Sequence, residues 1–195
     1  MAYNRDILVQ KLLRWDQFVT EYRLPEWESI PDFGLYMDQV IVLLQQYLNF
    51  IQPANGGKES FVTASAINNY VRLKVMPAPV KRKYGRVHIA YIIMILTLKL
   101  SLSISDIQQL LPSKMTDDEM HAAYEEYVRR FYRIAQGFAQ KIRGVAAALQ
   151  SPESDIDAEV SGLTNESALN AGFYALLAEK LISLSNSENS EKAKS

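Results

Sequence analysis

Two clusters of side chains in this sequence have the types and spacing to grip a polyanion. The first is Ser65, Asn68, Asn69 and Arg72. On a helix these residues share the face opposite Ile67, Tyr70 and Val71. Asn pairs with adenine edges and Arg with guanine edges in a major groove, so this face has the chemistry of a base reader. The second is the run Lys81, Arg82, Lys83, Tyr84, Gly85, Arg86, with Lys74 before it and His88 after it. Such a run suits phosphate oxygens, and Thr63 and the Ser65 hydroxyl could add hydrogen bonds at the same boundary. Between Glu59 and Asp106 there is no carboxylate, while seven cations fall there: Arg72, Lys74, Lys81, Arg82, Lys83, Arg86 and Lys99. The whole chain has formal charge −1, so the remainder carries −8. A near-neutral chain with a basic middle points to an anionic partner.

Catalytic chemistry finds little support. His88 and His121 are the only histidines, and no carboxylate-rich motif surrounds either. Asp117, Asp118 and Glu119 resemble a metal cluster, but they fall in the first turn of a helix, where the dipole favours acidic groups without a metal. No glycine-rich phosphate loop, Ser–His pair, HExxH or EF-hand pattern occurs. The chain has no cysteine, which excludes disulfides, thiol nucleophiles and thiolate metal sites. The expectation is a protein that is not an enzyme and needs no cofactor and no metal.

The elements that must position these clusters are helical. Apolar spacing predicts a first helix over Tyr3 to Tyr22, then an ordered loop from Leu24 to Gly34 with Trp27 as a plug. A second helix runs from about Leu35 to Ile51, followed by a turn, Gln52 to Ser60, rich in Pro, Asn and Gly. Thr63 is placed to cap a short third helix over Ala64 to Leu73. Lys81 to Arg86 reads as a tight turn between two very short strands. Val87 to Leu100, apolar almost all round, should be central; its most apolar run of about a dozen residues is too short to span a membrane, which needs roughly 20. Ser103 or Ser105 caps a fifth helix ending at Leu110–Leu111–Pro112. Thr116 and Glu119 form a capping box for the longest helix, about 33 residues or about 50 Å. Its apolar positions, Met120, Tyr124, Tyr127, Phe131, Ile134, Phe138, Ile142, Val145 and Leu149, step by 3 and 4. Gly137 and Gly144 offer a close helix approach or a kink. Ser151 to Gly162 reads as an acidic linker, and Thr164 as the cap of a last helix to Leu184 with the stripe Leu169, Phe173, Leu176, Leu177, Leu181 and Leu184. Residues 185–195 are expected to be disordered. The start, MAYNRDILVQ, lacks the pattern of a signal peptide, and the expected location is cytoplasmic.

The stretch TASAINNYVRLKVMPAP, followed by KYGRVHIAYIIMILTLKLSLSISDIQQLL, resembles a MerR-type winged-helix domain. That family follows its recognition helix with a proline-bearing turn and a basic wing, and then a helix into whose place LKLSLSISDIQQLL falls. The chain is still more similar to the bacterial family called domain of unknown function 1836, through LYMDQV, TASAINNYV, the Pro-x-Pro-x-Lys-x-Lys-Tyr segment and the IAYIIMI run. This resemblance implies a fold and a regulatory role rather than a known ligand. Two departures from the MerR pattern stand out. The turn between the second and third helices, Gln52 to Val62, has about ten residues rather than three or four. The long helix also lacks the cysteines of MerR-type metal sensors.

The expected fold is therefore mainly α: a MerR-like winged helix–turn–helix with a small β wing, plus long C-terminal helices. The expected division is 1–31 (N-terminal helix and loop), 32–113 (winged helix–turn–helix), 114–184 (helical region for dimerisation or sensing) and 185–195 (tail). The expected partner is double-stranded DNA, bound through Thr63, Ser65, Asn68, Asn69, Arg72, Lys74, Lys81, Arg82, Lys83, Tyr84, Arg86 and His88. A homodimer is expected on Tyr124, Tyr127, Phe131, Ile134, Phe138, Ile142 and Val145, with no membrane partner. Two alternatives remain open at this point. One is a protein-interaction module that keeps the winged scaffold. The other is a regulator whose C-terminal helices enclose a small apolar effector among Tyr124, Tyr127, Phe131, Phe138 and Phe173.

Overall fold

A computed structural model describes residues 3–51, 62–151 and 155–192. The chain is mainly helical, with seven α-helices among the described residues: α1 (Arg5–Glu21), α2 (Met37–Tyr47), α3 (Ala64–Arg72), α4 (Arg86–Leu98), α5 (Ile104–Leu110), α6 (Asp117–Leu149) and α7 (Ile156–Lys192). The turn expected over residues 52–60 lies outside the described residues, and with it the length and angle of the connection into α3.

Two compact units divide the chain, and each is described by itself. One comprises Leu24–Val128 with Tyr174–Ser195. Its centre is α4. Every residue from His88 to Thr97 is buried, as an all-round apolar helix requires. α2 packs against both α3 and α4, burying Val40 and Leu44, and α3 turns Ile67 and Tyr70 inward. Polar groups on α4 are paired. Thr97 Oγ1 donates to the Ile93 carbonyl and shares a 2.6 Å hydrogen bond with the Tyr127 hydroxyl of α6. Trp27 is the plug its loop position suggests: it is buried, with His121 stacked on its ring at 4.8 Å. Beside it, Tyr124 donates to the Pro25 carbonyl at 2.8 Å.

The other unit comprises Met1–Arg23 with Arg129–Phe173. Here α1, the second part of α6 and the first part of α7 form a layer around Val9, Ala146 and Leu149, with Leu8, Leu12, Val145, Ile156 and Val160 packed against them. Trp15 meets Phe138 edge-on at 5.3 Å. Arg143 donates to the largely buried Asp16 carboxylate at 2.9 Å.

Local capping chemistry explains most helix ends. Asn4 accepts from Ile7 N–H, Thr63 from Ala66 N–H and Ser103 from Asp106 N–H. The Thr116–Glu119 box is formed in both directions. Several expectations need correction. α7 starts at Ile156 and not after Thr164; that hydroxyl donates to the Val160 carbonyl inside the helix, so most of the acidic stretch is helical. α7 also continues to Lys192 rather than stopping at Leu184. Of the tail expected to be disordered, residues 193–195 lie outside the described residues. A Cβ at Gly137 or Gly144 would meet nothing within 4 Å, so neither marks a close approach to another helix of the same chain. The small β wing is not formed as strands: the described residues contain only isolated bridges there, Val80 with Lys83 and Leu35 with Tyr84.

Candidate nucleic-acid interface

α3 presents the first cluster. Ser65, Asn68 and Arg72 are exposed at i, i+3 and i+7, while Ile67 and Tyr70 on the other side are buried. Asn69 is half-buried, and its carboxamide oxygen accepts from the Arg72 guanidinium at 2.6 Å. This i,i+3 bond holds Arg72 along the helix and leaves most of its donors facing outward. Thr63 is spent as the cap, at 3.1 Å from Ala66 N.

The helix ends in a Schellman motif on a residue that is not glycine. Lys74 sits at φ 56°, Lys74 N–H donates to Val71 O, and Val75 N–H donates to Tyr70 O, both at 3.0 Å. Val75 and Met76 then bury themselves and turn the chain away. Gln108 of α5 donates to the Leu73 carbonyl at 2.9 Å, covering one of the exposed helix-end acceptors.

The second cluster is a hairpin turn. Val80 and Lys83 exchange both backbone hydrogen bonds, and the two residues between them, Lys81 and Arg82, have φ of 49° and 64°. Two consecutive left-handed residues across a two-residue loop are the signature of a type I′ turn, normally filled by Asn–Gly. Among the described residues, the non-glycine residues with positive φ are Lys74, Lys81 and Arg82, all three cations of the basic stretch. The side chains of Lys81, Arg82 and Lys83 are exposed, and among the described residues no carboxylate pairs with them.

The remaining members of the cluster form the root of this turn. Tyr84 is buried, its ring edge-on to His88 at 5.8 Å, and burial pushes its phenol pKa up. Tyr84 exchanges backbone hydrogen bonds with Leu35 at 2.8 and 2.9 Å. Buried His88 accepts the Gly85 N–H on Nδ1, so its ring proton lies on Nε2, which faces the Ala78 carbonyl at 3.1 Å. Arg86 donates to the Ile30 carbonyl at 2.9 Å and meets Glu28 at 3.2 Å, with its guanidinium over the Trp27 ring. These three side chains hold the turn in place; the exposed cations are Lys74, Lys81, Arg82 and Lys83.

Two supporting residues gave little sign in the sequence. A Cβ on Gly34 would lie 2.7 Å from the Cβ of Lys83, so only glycine lets the turn close on the segment before α2. Tyr36 places its ring 5.3 Å from Lys83 Nζ. A lone glycine ahead of a helix was the one signal available.

The expected dimer residues on α6 are mostly occupied by their own chain. Tyr124 and Ile142 are buried, Tyr127, Phe131 and Val145 are half-buried, and only Ile134 and Phe138 are exposed. No group of three or more His, Asp or Glu able to hold a metal occurs among the described residues. No helix among them is long and apolar enough to cross a membrane.

Neither the curated proteins nor the solved structures include a match to this chain. Residues 25–133, a segment that takes in α2 through α5 with the whole basic stretch, match the family described as a domain of unknown function, DUF1836. As that match covers more than half of the chain, the protein belongs to the DUF1836 family.

Proposed function

We propose that this protein is a DNA-binding transcriptional regulator that works as a MerR-like winged helix–turn–helix. α3 enters the major groove, where Asn68 and Arg72 read base edges and Asn69 steadies Arg72. The hairpin turn acts as a minimal wing, with Lys81, Arg82 and Lys83 on phosphates, and Lys74 at the end of α3 adds a fourth exposed cation. The observation that carries this reading is the turn itself. Backbone that ordinarily takes Asn–Gly holds two consecutive cations at positive φ, at a cost of about 1–2 kcal/mol per residue. Strain of this kind is retained where the position of the side chains matters, and these side chains point to solvent with no acidic partner among the described residues.

Division of labour follows from the chemistry. Phosphate contacts supply affinity without sequence preference, and base contacts supply discrimination of about 1–3 kcal/mol per good pair. Selection of bound duplexes from a random pool tests this. The purified protein should enrich a defined sequence. Asn68→Ala with Arg72→Ala should relax that preference while keeping general affinity, and Lys83→Glu should weaken all sequences alike. Failure to retain any duplex at low salt contradicts the proposal.

A further inference from the structure

α7 is a 37-residue helix, about 55 Å long. Residues 169–184, about four and a half turns of it, have an unusual inside and outside. Ala175, Ala178 and Ile182, spaced as one helix face, are half-buried. The larger apolar side chains of the same segment face water: Leu169 is 65%, Phe173 69%, Leu176 61%, Leu177 54%, Leu181 59% and Leu184 49% exposed. A helix that packs only within its own chain buries its large apolar face and exposes its small residues.

We infer that this face of α7 is covered by the same face of a second copy of the chain. Three observations favour that occupant. The first is area. Six such side chains leave on the order of 100 Å² each in water, roughly 600 Å² together before the Tyr174 ring and the Lys180 stem are added. That approaches the ~800 Å² per partner of a standard interface and lies at the upper end of what monomers expose as one patch. The second is spacing. Leu169, Phe173, Leu176, Lys180 and Leu184 follow one another at steps of 4, 3, 4 and 4, the seam of a helix pair, with one lysine inside it as a register-setting polar position. The third is charge. Lys180 is the single charged residue in that seam, so the face offers neither an acidic nor a basic partner a complementary surface. A two-fold pairing brings apolar surface onto apolar surface.

This inference stands apart from the nucleic-acid reading, because α7 lies wholly beyond residues 25–133. It also moves the dimer contact from α6, whose stripe is largely covered, to α7. Light scattering on the purified full chain tests it. At micromolar concentration the wild type should give twice the 22.2 kDa chain mass. Leu177→Glu should halve that mass without loss of helix content, since the side chain is exposed in the monomer. Ile134→Glu, on the exposed part of α6, should leave it unchanged. In a chain without cysteine, Leu177→Cys should give a covalent dimer with a short bismaleimide, a readout that needs no destabilising charge. A wild type that stays at the chain mass at 100 µM overturns the inference, as does dissociation by Ile134→Glu but not by Leu177→Glu. A monomer that instead binds neutral phosphatidylcholine vesicles through this face overturns it as well.

Discussion

Val80 and Lys83 exchange both of their backbone hydrogen bonds, at 3.1 and 2.9 Å, and in doing so fix Lys81 and Arg82 in the left-handed region. The relationship sets stability against function at the same two positions. Replacing Lys81→Asn and Arg82→Gly puts the residues a type I′ turn prefers into the loop. The expected result is a gain of about 1–2 kcal/mol in unfolding free energy, or a few degrees in Tm, together with weaker binding to duplex DNA. A denaturant titration and a binding titration on the same sample check both halves. Unchanged stability means the turn is not strained.

Gly34 supports the turn from outside. In Gly34→Ala the new methyl would meet the Lys83 Cβ at 2.7 Å, and neither atom is the free end of a flexible chain. The variant should lose about 1–3 kcal/mol through the forced shift. Its largest amide chemical-shift changes should lie at Leu35 and Val80–Tyr84. Changes confined to residues 33–35 would show that the turn does not depend on this approach.

The parts of this architecture governed by short-range rules are legible in the sequence. Thr63, Ser103 and Thr116 cap where capping chemistry places them, and the all-apolar run of α4 is central. What the sequence hides depends on contacts between distant segments. Tyr84, Arg86 and His88 look like members of a basic patch until Leu35, Ile30 and Ala78 are brought against them. Gly34 matters because of a side chain 49 positions away. The positive φ of Lys81 and Arg82 runs against their residue types, so turn propensity could not reveal it. The acidic stretch before α7 reads as a linker by composition, yet Asp155 accepts from Asp157 and Ala158 N–H and so starts a helix.

In the unit containing α1, Asp16 has a side chain only 12% exposed and takes a hydrogen bond from Arg143 at 2.9 Å. Thr20 Oγ1 lies 3.4 Å from the same oxygen. Removing only the arginine leaves a carboxylate with little water and little compensation. Arg143→Ala should cost about 1–2 kcal/mol, discounted because the guanidinium is half exposed. Asp16→Asn with Arg143→Ala should cost less than the sum of the two single changes, the coupling measured by a double-mutant cycle on urea midpoints. Strict additivity would show that the pair does not interact.

Alkaline conditions should loosen the protein through its phenols. Burial raises the pKa of Tyr70, Tyr84 and Tyr127 above the ordinary value of 10.0, and for Tyr127 the Thr97 hydrogen bond offsets part of the rise. Folding therefore favours the neutral phenols. Their contribution is fully present below pH 10 and is lost as pH climbs through the folded-state values. Urea midpoints should hold level from pH 7 to about pH 9.5 and then fall. Tyr127→Phe should lower the neutral-pH midpoint, through the lost Thr97 bond, and flatten the alkaline fall. A fall of identical steepness in the variant would show that ionisation of Tyr127 does not drive the loss.

The salt dependence of duplex binding reports whether the turn cations sit on phosphates. Affinity of the wild type and of the triple variant Lys81→Ala, Arg82→Ala, Lys83→Ala would be measured across a salt series on one selected duplex. Each phosphate contact adds about 0.9 to the steepness with which log K falls against log salt. The wild type should give a steep line and the variant one shallower by about 2–3 units, with the preference for the selected sequence retained. Parallel lines, or a wild type that binds no duplex at the lowest salt, would contradict it.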